Sequence, residues 1–120
     1  MRPHGAVLAW VKGLADSQLF VSAVTLGEIQ AGIEMTRERD TGKADAIEGW
    51  LNSLAGSFQV MAADAQVFRK WAQLMHRKPD HHLEDALIAA TALTRGLTVA
   101  TRNTKDFKQF GVALVNPFGR

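Results

Sequence analysis

The stretch Leu83-Glu84-Asp85-Ala86-Leu87-Ile88-Ala89-Ala90-Thr91-Ala92-Leu93-Thr94-Arg95-Gly96-Leu97-Thr98-Val99-Ala100-Thr101-Arg102-Asn103-Thr104-Lys105-Asp106-Phe107-Lys108-Gln109-Phe110-Gly111-Val112-Ala113-Leu114-Val115 decides the fold class. Leu83 to Leu93 carries apolar residues at helical spacing, and Arg95-Gly96 supplies a helix stop. Leu97 to Thr101 then reads as a strand, Asn103 to Phe110 as a turn and short helix, and Val112 to Val115 as a final strand before Pro117. Strands that alternate with helices in this way predict an α/β sandwich around a mostly parallel sheet. In such a sheet the strand C-terminal ends and the loops after them form the site.

The same alternation continues upstream. Pro3 followed by Ala6-Val7-Leu8-Ala9-Trp10-Val11 predicts a helix of about ten residues ending near Gly13. Leu19 to Val24 predicts a buried strand, and Thr25 stands where an N-cap belongs, with Glu28 three residues later at capping-box spacing. The helix from Leu26 runs through Ile29, Ile33 and Met35, and the polar stretch Thr36 to Lys43 predicts a turn. A second helix, Ala44 to Leu54, presents Ile47, Leu51 and Leu54 around Trp50, so the two can form a hairpin. Gly56 ends it, Phe58 to Met61 predicts a strand, and Asp64 caps a helix bearing Val67, Phe68, Trp71, Leu74 and Met75. That aromatic stripe suits a core or a dimer interface. Arg77 to His82 predicts a loop.

Three acidic residues in separate segments stand where an apolar stretch meets a polar one: Glu28, Asp85 and Asp106. A carboxylate at the border of a core element is costly unless it is paired or binds a cation, so three of them point to a shared site for a hard metal. Each also has a plainer reading. Glu28 can close the capping box, and Asp85 in the first turn of its helix is favoured by the helix dipole alone. Glu84 adjoins Asp85, but neighbours on a helix point about 100° apart, so only one of the two faces the site.

At these segments the chain resembles the PIN-domain family, and within it the VapC-type toxins of toxin–antitoxin pairs. The resemblance rests on Ser22-x-x-Thr25-x-x-Glu28, on Asp85-x-x-Ile88-Ala89-Ala90-x-Ala92, and on Thr101-x-Asn103-x-x-Asp106-Phe107, in that order. It implies a single PIN-like domain over residues 1 to 120: a three-layer sandwich in which helices flank a central, mostly parallel sheet. Glu28, Asp85 and Asp106 match the family's second, third and fourth acidic positions, and Thr101 and Asn103 match polar positions that accompany them. Family members open with a strand ending in an Asp-Thr-Asn-like triplet, and no such triplet precedes Ala6. The central first strand is therefore expected to be missing, Met1 to be an internal methionine, and the natural chain to begin upstream.

Composition bounds the rest. With 47% hydrophobic and 22% charged residues, a chain of 120 residues is globular rather than disordered, and no apolar run approaches the roughly 20 residues that span a bilayer. The absence of cysteine excludes disulfides and thiolate metal sites, so the default expectation is a cytoplasmic protein. The net charge of +2 is unevenly spread, −3 over residues 1 to 68 and +5 over 69 to 120. Arg69, Lys70, Arg77, Lys78, Arg102, Lys105 and Lys108 can hold a polyanion if they share a face, or can simply be solvated. Among them, Arg102 and Lys105, which flank Asn103, are the better candidates for phosphate contact. His76, His81 and His82 lack the i, i+4 spacing of a helical metal pair, which argues against zinc and for a polar or RNA-contacting loop.

An all-oxygen ligand set suits Mg²⁺ or Mn²⁺, which prefer oxygen donors and retain several waters. The resemblance accordingly implies an endoribonuclease that hydrolyses RNA phosphodiester bonds with a divalent metal, forms homodimers and is neutralised by a cognate antitoxin. The alternative is a PIN-like protein that keeps dimer and antitoxin contacts without catalysis. In the complete protein Asp85→Asn is expected to abolish cleavage while leaving the melting temperature unchanged or raised.

Overall fold

The first described element, β1 (Phe20–Ser22), is stopped by its own last side chain. Ser22 Oγ accepts a hydrogen bond from the Val24 backbone N–H at 3.1 Å, capping helix α1 (Ala23–Arg37). The cap expected at Thr25 therefore lies three residues earlier, because an unpaired N–H at a helix start takes the first hydroxyl within reach. A computed structural model describes residues 19 to 117, so the helix expected after Pro3 lies outside the described residues. Elements follow in the order α2 (Thr41–Ser57), β2 (Gln59–Met61), α3 (Ala65–Met75), a 3₁₀ turn (Asp80–His82), α4 (Leu83–Arg95), β3 (Val99–Ala100), α5 (Thr104–Phe107), a second 3₁₀ turn (Lys108–Phe110) and β4 (Leu114–Val115).

The described residues fall into two compact units, 19 to 62 and 63 to 117. In the first, α1 and α2 form the expected hairpin. Its core is Ile33, Ala44 and Leu51, with Leu26, Ile29, Ile47 and Leu54 packed around them. The connection is shorter than the predicted Thr36–Lys43 turn because Asp40 caps α2, its carboxylate accepting from Lys43 N at 3.0 Å. Arg37 bridges the hairpin, donating to Asp45 at 2.6 Å and to Glu48 at 2.7 Å, and these carboxylates raise its pKa above the usual guanidinium value. Strands β1 and β2 pair in parallel, with Val21 opposite Val60.

The second unit holds the larger core. Ala86, Ala89 and Ala92 of α4 meet Val99, Phe107, Phe110 and Val112, flanked by Trp71, Leu74 and Met75 of α3. Small side chains on one stripe of α4 let neighbouring elements approach closely, which suits its place at the centre of the unit. The Thr91 hydroxyl, buried in the same helix, is satisfied by the Leu87 carbonyl at 2.8 Å. Asp64 caps α3 as expected, accepting from Val67 N at 3.0 Å, and also pairs with Arg95 near the end of α4 at 2.6 Å. The aromatic stripe of α3 is divided: Val67 is fully buried, whereas Phe68 is exposed and meets Trp71 edge-on. Gly96 ends α4 in the left-handed conformation at φ 68°, where a side chain would be strained.

β3 and β4 also pair in parallel, Val99 opposite Leu114 and Ala100 opposite Val115. All four described strands are shorter than the apolar runs that predict them, and they form two two-stranded sheets. The α/β class and the parallel direction are as expected.

Candidate active site

Asp85 is the third residue of α4, whose N-cap, His82, makes no side-chain capping bond. The carboxyl is half-buried, and its pKa is raised, chiefly by loss of solvent and next by the negative charge of Asp106. Glu84, exposed on the neighbouring face, adds a smaller push, while His82 draws the value back down. A carboxylate serving only as a helix-start partner would be held below its usual range, because the dipole and the free N–H groups favour the charged form. Here burial and a like charge outweigh that effect.

Asp106 is exposed on α5, and the approach to it is built by the two polar residues before it. Thr101 follows β3, its backbone N–H donating to the Val115 carbonyl at 3.0 Å. Its hydroxyl oxygen accepts from Asn103 N at 3.0 Å, and the Asn103 carbonyl accepts from Asp106 N at 3.1 Å. This hydroxyl-centred turn converts the end of a strand into the start of a helix within three residues. Thr101 and Asn103 therefore shape the segment that presents Asp106.

Glu28 lies in the other unit, the sixth residue of α1, with an exposed side chain. Because the helix starts at Ala23, Glu28 stands beyond the first turn and cannot close a capping box with Thr25. Its plainer reading falls with the corrected cap. Of the three predicted acids, two are brought together within one unit; among the described residues no group of three His, Cys, Asp or Glu side chains has metal-holding geometry.

A half-buried carboxylate whose charged form a second carboxylate disfavours is stabilised by a cation that neutralises it, and oxygen donors suit a hard divalent ion. Asp106 is exposed and Asp85 half-buried. Two hollows around Trp50, lined in one case by Ser53, Leu54, Ser57 and Phe58 and in the other by Lys43, Ala46 and Ile47, border neither acid. An open acidic site suits a chain-like substrate better than a small molecule that must be enclosed.

Sequence reasoning passed over one feature beside the pair. His82 stands one helical turn before Asp85, and its ring meets Phe110 edge-on at 6.4 Å. The Lys78 ammonium lies 6.0 Å from the centre of the same Phe110 ring. A basic residue and an aromatic more than thirty positions apart carry no signal in a single sequence.

The family model described as PIN domain matches residues 2 to 113. A protein named VapC ribonuclease Y4jK from Sinorhizobium fredii is 34% identical, covering 97% of this chain and 86% of that protein. The toxin FitB of Neisseria gonorrhoeae is 30% identical, with 98% and 88% covered. The solved structure of FitAB bound to an IR36 DNA fragment matches with a TM-score of 0.82 at 28% identity, covering 100% of this chain and 87% of that one. The DNA-bound VapBC structure from Salmonella typhimurium shares the fold, with a TM-score of 0.76 at 22% identity. With the family model matching from Arg2 to Ala113 and both relatives covered over most of their length, the chain belongs to the PIN-domain family and is similar within it to the VapC-type toxins.

Proposed function

We propose that the protein is a toxin endoribonuclease that hydrolyses RNA phosphodiester bonds with Mg²⁺ or Mn²⁺. The observation that carries this reading is the half-buried Asp85 carboxyl, destabilised in its charged form by Asp106. Asp85 and Asp106 would hold the ion, with Glu28 as the third carboxylate that the family resemblance assigns. When bound, the ion lowers the pKa of a coordinated water and neutralises charge developing on the phosphate. Thr101 and Asn103 keep the Asp106 segment in one conformation, so that carboxylate is pre-positioned rather than recruited at a cost in entropy. The basic residues of the second unit attract the polyanionic substrate.

The relatives named as a ribonuclease and as a toxin support the activity, and the FitAB and VapBC complexes support a cognate antitoxin partner. Homodimer formation and a cytoplasmic site of action complete the proposal. No helix among the described residues is long and apolar enough to cross a membrane.

A labelled RNA incubated with the full chain across a Mg²⁺ or Mn²⁺ titration tests the reading. Metal-stimulated cleavage is expected, and Asp85→Asn should lower it by more than the roughly 10–100-fold that loss of an outer-shell partner costs a metal site. A variant that cuts as fast as the parent would remove Asp85 from the site. The second reading, a PIN-like protein that binds partners without catalysis, is favoured by the lack of a three-ligand group among the described residues. Metal binding without cleavage by the parent would select it.

A further inference from the structure

Lys78 has a position defined by both its backbone and a ring contact. The chain leaves α3 through a tight turn in which the Met75 carbonyl accepts from Lys78 N at 2.9 Å. His76 stands at φ −56° and ψ 118°, and Arg77 at φ 64°. These angles make a type II turn with arginine at the position that favours glycine, so the direction in which Lys78 leaves the helix is fixed. Its ammonium then rests over the face of Phe110, a ring only 5% exposed and packed in the core of the unit. Lys105 and Lys108 are exposed.

Phe110 ties this cation to the acidic pair. The ring belongs to the 3₁₀ turn that directly continues α5, the helix of Asp106. Its edge contact is His82, one turn ahead of Asp85 and close enough for its charge to act on that carboxyl. Lys78, Phe110, His82, Asp85 and Asp106 thus form one connected corner of the unit, with a held cation at one end and two carboxylates at the other. A nuclease acting on a chain substrate has to bind phosphates on either side of the one it cleaves, and a fixed ammonium beside the metal-binding acids is suited to that task.

We infer that Lys78 is a phosphate-positioning residue, contacting a backbone phosphate of the RNA next to the scissile one, with Phe110 setting its position. The inference rests on the nuclease reading and names a substrate contact for the same site. Lys78 does not touch the reacting atoms; it fixes where the strand lies across Asp85 and Asp106.

Two measurements on the full chain test this, each comparing the parent with Lys78→Gln and Lys78→Arg. The first is binding of a fluorescein-labelled single-stranded oligoribonucleotide in EDTA, followed by anisotropy against salt. Loss of one phosphate contact should reduce the slope of log affinity against log salt by about 0.7, which is about eightfold weaker binding at 50 mM salt and about threefold at 200 mM. The second is metal-dependent cleavage, where Lys78→Gln should raise KM by a similar factor and leave kcat within about twofold. Lys78→Arg should restore both. An unchanged salt slope and KM in Lys78→Gln would overturn the inference, and so would a lower melting temperature as the variant's only effect. If the parent does not cut RNA but Lys78→Gln still reduces the salt slope, the nuclease reading fails and the phosphate contact stands. If the parent cuts and the variant matches it, the reverse holds.

Discussion

Asp85 bears the tension of the proposed site, and the tension has a measurable sign. Its pKa is raised in the folded chain, so the native state binds a proton more readily than the unfolded state does between the ordinary carboxylate value and the raised one. Stability therefore falls as pH rises through that window, and the penalty is fully present once pH exceeds the raised value. The expected outcome is that Asp85→Asn melts slightly above the parent at pH 7 and that the difference vanishes below the ordinary carboxylate pKa. Thermal unfolding across pH 3 to 8 measures this; an Asn variant that melts lower at pH 7 would mean that the charge is stabilising and serves as a cap. The acid itself was legible in the sequence, since it marks the polar start of an otherwise apolar helix. Its partner was legible only through the family pattern, because nothing in residues 85 and 106 taken alone says that they meet. His82 was discounted as a metal ligand, and its contact with Phe110 depends on how α5 turns, which periodicity does not encode.

At the scale of the element, the α/β alternation, the α1–α2 hairpin, the stop at Gly96 and the cap at Asp64 follow from local chemistry, and the structure carries all of them. Boundaries were less legible where two candidates compete. Ser22 and Thr25 are both good caps, and the apolar Ala23-Val24 pair between them reads equally well as strand or helix. What decides is the end of the β1–β2 pairing at Ser22 opposite Met61, a long-range fact. Ser22→Ala should therefore cost about 1 kcal/mol of stability, the usual loss for a helix cap. Thr25→Ala, inside the helix, should be neutral or gain a few tenths, since alanine is the better helix former. Urea titration of the two variants checks this, and the opposite order would restore Thr25 as the cap and shorten α1. The strands were read too long for a related reason: apolar runs such as Leu97 to Thr101 supply core contacts beyond the two residues that pair.

Across the whole molecule, the charge asymmetry visible in the sequence coincides with the two units. Residues 19 to 62 hold three basic and six acidic side chains, net −3, while residues 63 to 117 hold eight and five, net +3. The more basic unit is the one that contains Asp85 and Asp106, so under the proposed function its charge would draw a polyanion toward acids that would otherwise repel it, and a divalent ion held by those acids would complete the attraction. The family could be read from three short motifs because together they sample both units in a fixed order, and a match spanning residues 2 to 113 agrees with that reading. The central claim is that Asp85 and Asp106 together hold a divalent cation, and calorimetric titration of the full chain with Mn²⁺ at pH 7 tests it most directly. The account predicts saturable binding by the parent that Asp85→Asn and Asp106→Asn each weaken by well over tenfold, while Glu84→Gln leaves it unchanged. Equal binding by the parent and both aspartate variants, or none by the parent, would contradict it.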